Sequence, residues 1–99
     1  MNEKLSEADR NTAVAELRDA GWALVEGRDA IDKTFQFKNF VQAFGWMTQV
    51  AIWAEKLNHH PESSNVYKTV EVTLSTHDAG GLTELDIKMA RKMDSLVPG

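Results

Sequence analysis

The sequence predicts a single α+β domain spanning residues 1–99, with a four-stranded antiparallel sheet and three helices packed on one face. The chain of 99 residues has room for only one hydrophobic core. Three stretches with helical spacing of apolar residues alternate with two pairs of short, strand-like runs. Each pair is close enough in sequence to form an antiparallel hairpin, so the predicted order is α-β-β-α-β-β-α.

The first third of the chain predicts a helix followed by a hairpin. Ser6 is a suitable N-cap, and an apolar stripe runs from there to Gly21, which is a suitable stop. Residues 22–25 and 31–37 resemble strands, and the charged and glycine-containing residues between them are typical of a turn. Trp22 is expected in the core, with the wall of a ligand pocket as the alternative.

The middle helix is predicted for residues 40–57, with Asn39 as its cap. Helical spacing places one apolar face toward the sheet, with Ala43 and Val50 at its edge. The face is formed by Phe40, Phe44, Met47, Ala51 and Ala54. Other sides of this helix are also apolar, and one sheet cannot bury every side. We therefore expect a second partner, most simply another subunit, at an interface that includes Trp46, Gln49 and Trp53. The alternative is that both tryptophans pack under a loop of their own chain.

The last third predicts a second hairpin and a third helix. Strands are expected at 65–67 and 70–76 with a tight turn at residues 68–69, followed by a loop at 78–81. Thr83 is the expected cap of the last helix, with the carboxylates of Glu84 and Asp86 in its first turn.

Composition excludes several function classes. The net charge of −4 and pI near 5.3 argue against direct binding to nucleic acid. The sequence has no apolar run long enough to span a membrane and no signal-peptide pattern, so a cytoplasmic location is expected, with the nucleus as an additional site. Without cysteine the chain has neither disulfides nor a thiol nucleophile.

The chemistry of the chain is expected at two corners that contain its three histidines. His59 and His60 directly precede Pro61, where the middle helix must end, and His77 follows the last predicted strand. We expect the two corners to meet and form one pocket for general acid/base chemistry, because imidazole titrates near neutral pH. Glu55 and His59 have the helical spacing of metal ligands, so a metal site is one alternative. A second alternative is that the three histidines lie at the surface and share no role.

Several segments resemble the pterin-4a-carbinolamine dehydratase family, also known as the dimerisation cofactor of a homeodomain transcription factor. The histidine corners carry the strongest resemblance, in Ala-Glu-Lys-Leu-Asn-His-His-Pro-Glu at 54–62, Asn-Val-Tyr at 65–67 and Leu-Ser-Thr-His at 74–77. Gly81, Leu82 and Asp86 continue the match. Upstream, the resemblance includes residues 21–22, 26–31, 37–38 and 43–45.

The resemblance implies a metal-free and cofactor-free lyase. Family members dehydrate 4a-hydroxytetrahydropterin to quinonoid dihydropterin, which recycles the cofactor of aromatic amino acid hydroxylases. They form homodimers or homotetramers through the middle helix, and in animal relatives the same surface also binds a transcription factor. The implied substrate-binding residues are Asn58, His59, His60, Pro61, Ser75, Thr76, His77 and Asp78. His60 and His77 are the expected acid/base pair, His59 is the other candidate acid, and Glu55, Trp22 and Asp86 are supporting residues.

Four departures from the family pattern bear on this expectation. Ser63 and Ser64 stand where the family usually has aromatic residues, which bears on any aromatic rim of the site. Leu85 replaces an arginine, and Asn58 replaces an aspartate, both common in animal members. Bulky Trp46 and Trp53 stand in the middle helix where phenylalanine and glutamine are usual, which changes the surface expected to mediate assembly.

Overall fold

The computed structural model describes residues 3–98 and has the predicted α+β architecture. The four strands form one antiparallel sheet in the order β1-β2-β4-β3. Among residues 3–98, no helix is both long and apolar enough to cross a membrane. The elements in chain order are α1 (Glu7–Asp19), β1 (Ala23–Leu24), β2 (Ile31–Gln36), α2 (Phe40–Leu57), β3 (Glu62–Val66), β4 (Thr69–Leu74) and α3 (Glu84–Ser95).

The central strands β2 and β4 bury one face of the sheet against the helices. Ile31 pairs with Leu74 and Phe35 pairs with Val70, and all four side chains are buried. The residues between them, such as Thr34 and its partner Glu71, face the opposite side. This alternation follows from the pleat of a strand, which sends successive side chains to opposite faces.

Helix α2 covers the sheet with a different face from the predicted one. Its buried residues are Ala43, Trp46, Val50 and Ala54, whereas Phe40 and Phe44 are exposed. Relative to the predicted face, the buried face is thus rotated about the helix axis by somewhat less than the angle of about 100° between successive residues. The prediction was right for Ala54 and for the edge residues Ala43 and Val50, but wrong for Phe40 and Phe44. Because α2 is apolar almost all round, periodicity alone could not select the side that packs.

Trp46 is a core residue rather than the predicted interface residue. Its side chain is only 2% exposed, it packs against Phe35 and Phe37, and its Nε1–H donates to the carbonyl of Met93 in α3 at 3.0 Å. Trp53 is half-buried, with the ammonium of Lys92 4.0 Å from its ring. Both tryptophans therefore pack within their own chain, against α3 rather than under a loop. Of the three predicted interface residues, Gln49 alone is exposed.

The second hairpin begins earlier and turns earlier than predicted. Strand β3 starts at Glu62, directly after Pro61, and its turn consists of Tyr67 and Lys68. Tyr67 adopts a left-handed conformation with φ 54°. The side chain of Asn65 stabilises this turn by donating to the carbonyls of Tyr67 and Thr69.

Candidate active site

The first histidine corner forms where α2 ends. Asn58 adopts the left-handed conformation, with φ 51° and ψ 45°, and its backbone N–H donates to carbonyls of the last helical turn. Asparagine tolerates this conformation better than most residues, so it ends the helix before the proline. The chain then turns so that the His59 ring points inward, 9% exposed, while the His60 ring is 57% exposed.

The second corner follows β4. Thr76 and Gly81 exchange two backbone hydrogen bonds, of 3.0 and 3.2 Å, around a short 3-10 turn at His77–Ala79. The hydroxyl of Ser75 donates to the carbonyl of Asp29 and ties this loop to the turn between β1 and β2. The loop therefore holds His77 at the surface, where its ring is 80% exposed.

The two corners meet and line one pocket of about 280 Å³. Of the eight predicted substrate-binding residues, Pro61 alone does not line this pocket; it lies on a neighbouring cavity instead. Leu85, at the start of α3, closes one side. The lining residues are Asn58, His59, His60, Ser75, Thr76, His77, Asp78 and Leu85.

A buried network fixes the orientation of His59. Its Nε2 lies 2.5 Å from Oδ1 of Asp86, a carboxylate with no exposure to solvent. The other oxygen of Asp86 accepts hydrogen bonds from the Thr76 hydroxyl at 2.8 Å and from the backbone N–H of Thr83 at 2.9 Å. Because an ionised carboxylate can only accept, Nε2 of His59 carries the proton. The ring nitrogen left for a ligand is therefore Nδ1.

The two outer histidines also have carboxylate partners. Nε2 of His60 lies 2.5 Å from Oε2 of Glu55, and Nε2 of His77 lies 3.5 Å from Oε2 of Glu62. Glu55 has the helical spacing to meet His59, but that pair does not form because the helix has already ended at Leu57. As with His59, the Nδ1 atoms of His60 and His77 remain for a ligand.

Arg28 joins this site through Glu62, and neither residue was predicted to belong to it. The guanidinium of Arg28 donates two hydrogen bonds to the Glu62 carboxylate, at 3.0 and 2.9 Å, and holds its pKa below the usual range. Both residues belong to segments that resemble the family. Their pairing across 34 positions has no signal in local sequence, so only the fold reveals it.

Two remaining expectations concern Trp22 and a metal site. Trp22 lies in the core, where its Nε1–H donates to Asp94 at 3.0 Å, and it does not line the histidine pocket. Within residues 3–98, no three His, Asp or Glu side chains are grouped closely enough to hold a metal ion. Glu55 and His59, the predicted metal pair, bond to different partners.

Comparisons with known proteins agree with the resemblance in the sequence. The family model described as Pterin 4 alpha carbinolamine dehydratase matches residues 3–96. A protein of Jannaschia sp. (strain CCS1), named as a predicted pterin-4-alpha-carbinolamine dehydratase, is 71% identical over 96 residues, covering 97% of this chain and 98% of that protein. A similarly named protein of Roseobacter denitrificans is 68% identical, with the same coverage of both chains.

A solved structure supports the same assignment. The crystal structure described as a transcriptional coactivator/pterin dehydratase from Brucella melitensis has a TM-score of 0.88 and 52% sequence identity to this chain. The match covers 97% of this chain and 100% of that one. Sequence, fold and the two histidine corners thus agree, and the chain belongs to the pterin 4 alpha carbinolamine dehydratase family.

Proposed function

We propose that this chain dehydrates 4a-hydroxytetrahydropterin to quinonoid dihydropterin, using histidines as general acid and base without a metal or organic cofactor. The single observation that carries the proposal is the grouping of three imidazoles on one pocket, each beside its own carboxylate. Family membership and the names of the relatives support the choice of substrate. By the same resemblance, the reaction would recycle the cofactor of aromatic amino acid hydroxylases in the cytoplasm.

The reaction requires two proton transfers. The bond between carbon 4a and its hydroxyl oxygen breaks, and nitrogen 5 loses a proton, so that one water leaves. Hydroxide is a poor leaving group at neutral pH, so an imidazolium should donate a proton to the departing oxygen while a neutral imidazole accepts the proton from nitrogen 5. The acid ends neutral and the base ends protonated, so a proton exchange with solvent restores the site.

His60 and His77 are our proposed acid/base pair. Their rings are the two exposed imidazoles of the pocket, which suits groups that must reach a substrate and then exchange protons with water. The carboxylates of Glu55 and Glu62 lie on the Nε2 side of these rings, so Nδ1 of each ring carries or accepts the transferred proton.

His59 has a different role in this proposal. Its ring is nearly buried, and Asp86 keeps the proton on Nε2. Nδ1 is thus a fixed acceptor, suited to a hydrogen bond from an N–H group of the pterin ring. Such a contact would orient the substrate between His60 and His77.

The deciding experiment compares dehydration of the 4a-carbinolamine by the wild type, His60→Ala and His77→Ala. Loss of a general acid or base should lower kcat by about 10²- to 10⁴-fold. Ser64→Ala, on the opposite face of the sheet, is the control and should retain full activity. A wild type no faster than the spontaneous reaction would remove the enzymatic assignment. Two histidine variants as fast as the wild type would show that the wrong pair was chosen.

A second candidate function is binding of a helical partner through α2. This helix has a face that the other described residues, 3–98, leave exposed. Its apolar members are Phe40, Val41, Phe44 and Ile52. Exposed apolar patches of this kind usually mark interaction surfaces.

We propose that this face, rather than the predicted Trp46, joins copies of the chain into a homodimer or homotetramer. A segment of a transcriptional regulator is the alternative partner, in line with the coactivator description of the Brucella structure.

Light scattering tests the assembly. Ile52→Lys places a charge on the exposed face and should reduce the measured mass to that of a single chain. Thr34→Lys introduces the same charge on the exposed face of the sheet and should leave the mass unchanged. An Ile52→Lys variant with the wild-type mass would refute this interface.

A further inference from the structure

A second cavity, larger than the histidine pocket, lies between α2 and the β3–β4 half of the sheet. Its volume is about 460 Å³, within the range of about 300–1,000 Å³ typical of small-molecule sites. The walls are almost entirely apolar. They include Met47, Val50 and Ala51 of α2, Val70 and Val72 of β4, and Met93 of α3.

The cavity exists because a small residue occupies an inward position on an edge strand. Ser63 pairs with Val72, whose side chain is buried under the helices, so Ser63 points to the same side. Its neighbour Ser64 pairs with Glu71 and points to the opposite face. A serine side chain cannot fill the space between α2 and this end of the sheet, and the apolar walls stay apart.

The mouth of the cavity is polar and carries a carboxylate. Glu55, His60 and Pro61 line it, and His60 also lines the histidine pocket. Oε2 of Glu55 bonds to His60, while Oε1 has no hydrogen-bond partner among the described residues and belongs to a side chain that is 78% exposed to solvent. Within residues 3–98, no lysine or arginine lines the cavity, so the mouth favours a hydrogen-bond donor or a cation over an anion.

We propose that this cavity binds a small aromatic molecule that carries an amine, with its ring between α2 and the sheet and its amine at Glu55. A cavity of about 150 Å³ lined by aliphatic side chains suffices for one benzene ring, so 460 Å³ accommodates a fused pair of rings. The thioethers of Met47 and Met93 adapt to flat ligands and make favourable contacts with aromatic rings.

A side chain from a second copy of the chain is the competing occupant. The exposed face of α2 offers Phe40 and Phe44 for such a contact. Neither side chain has a donor for the free oxygen of Glu55, whereas an aromatic amine satisfies both the apolar walls and the carboxylate. Charge complementarity therefore favours the small molecule.

The test uses the full chain and two probes, tryptamine and indole-3-acetate, followed by NMR of the Met47 and Met93 methyl groups. Tryptamine should shift both methyl signals and bind about two- to fivefold more tightly than indole-3-acetate, as expected for an exposed charge contact. Ser63→Trp should fill the cavity and weaken tryptamine binding at least tenfold. Ser64→Trp, which adds the same ring on the opposite face, should bind tryptamine as the wild type does.

Several outcomes would overturn the proposal. One is a wild type whose methionine signals do not respond to tryptamine, and another is a Ser63→Trp variant that binds as well as Ser64→Trp. Binding seen only after Ile52→Lys has broken the assembly would mean that a second copy fills the cavity. If Ser63→Trp does not fold, Ser63→Leu occupies part of the same space and is tested in the same way. None of these readouts requires dehydratase activity, so they are independent of the proposed reaction.

Discussion

Asp86→Asn is the sharpest test of how the histidine pocket is organised. The substitution preserves shape and removes a charge from a carboxylate that is fully buried. The backbone N–H of Thr83 and the hydroxyl of Thr76 both need an acceptor, so the oxygen of the new amide should stay with them. Its NH₂ group would then face Nε2 of His59. That nitrogen would have to accept, and the ring proton would move to Nδ1, on the ligand side.

The expected loss of activity follows from this change of tautomer. A substrate N–H that met an acceptor at Nδ1 would now meet a donor, leaving two donors without partners. An unpaired buried polar group costs about 1–3 kcal/mol, which corresponds to about 5- to 150-fold in kcat/KM. The variant should also lose about 1–2 kcal/mol of unfolding free energy, because a charged acceptor is replaced by a neutral one.

Asp94→Asn provides the matched control. Asp94 lies on the same helix and accepts hydrogen bonds from Trp22 at 3.0 Å and Lys33 at 2.7 Å, away from the pocket. This variant should lose a comparable amount of unfolding free energy in urea titrations and keep the wild-type kcat/KM. Nitrogen-15 NMR of the His59 ring reports the tautomer directly. An Asp86→Asn variant with wild-type kcat/KM, or with the proton still on Nε2, would refute the reasoning.

Two further predictions concern stability. Trp46→Ala should lower the unfolding free energy, measured in urea, by about 3–5 kcal/mol. Trp46→Phe should lower it by only about 1 kcal/mol, because it loses the hydrogen bond to the carbonyl of Met93. Equal effects of the two substitutions would contradict the assignment of Trp46 to the core. Arg10→Ala should cost about 0.5–1 kcal/mol at neutral pH. Partial burial raises the pKa of Asp29, but its contacts with Arg10 and the Leu82 amide outweigh this effect and hold the pKa below its usual range. The stabilisation from the ion pair is therefore present above the unfolded-state pKa of Asp29 and disappears as pH falls through the folded-state pKa. The deficit should therefore shrink in urea titrations at about pH 3, and a constant deficit would argue against the ion pair.

The parts of the fold that depend on local chemistry could be predicted from sequence. Asn39 caps α2 by accepting from the backbone N–H of Gln42, as its position before an apolar run indicates. Thr83 and Asp86 form a reciprocal capping box at α3. The carboxylate of Asp86 both caps the helix and bonds to His59. Sequence spacing predicts only the capping role.

Tertiary contacts decided the features that sequence could not predict. Ser63 and Ser64 are weak strand formers, yet β3 begins at Glu62 because β4 offers backbone partners along its whole length. The pairing of His60, rather than His59, with Glu55 depends on one left-handed residue, Asn58. Periodicity treats the sequence as a uniform helix and cannot detect where such a residue ends it.

Helix α2 carries two surfaces, and the geometry separates their functions. The exposed apolar residues of α2 do not line the histidine pocket. Catalysis should therefore not depend on assembly. We expect Ile52→Lys to dissociate the subunits and to retain kcat within about twofold, since the mutation lies outside the pocket and its supporting carboxylates. Activity that falls in step with the loss of mass would instead mean that a second chain completes the site.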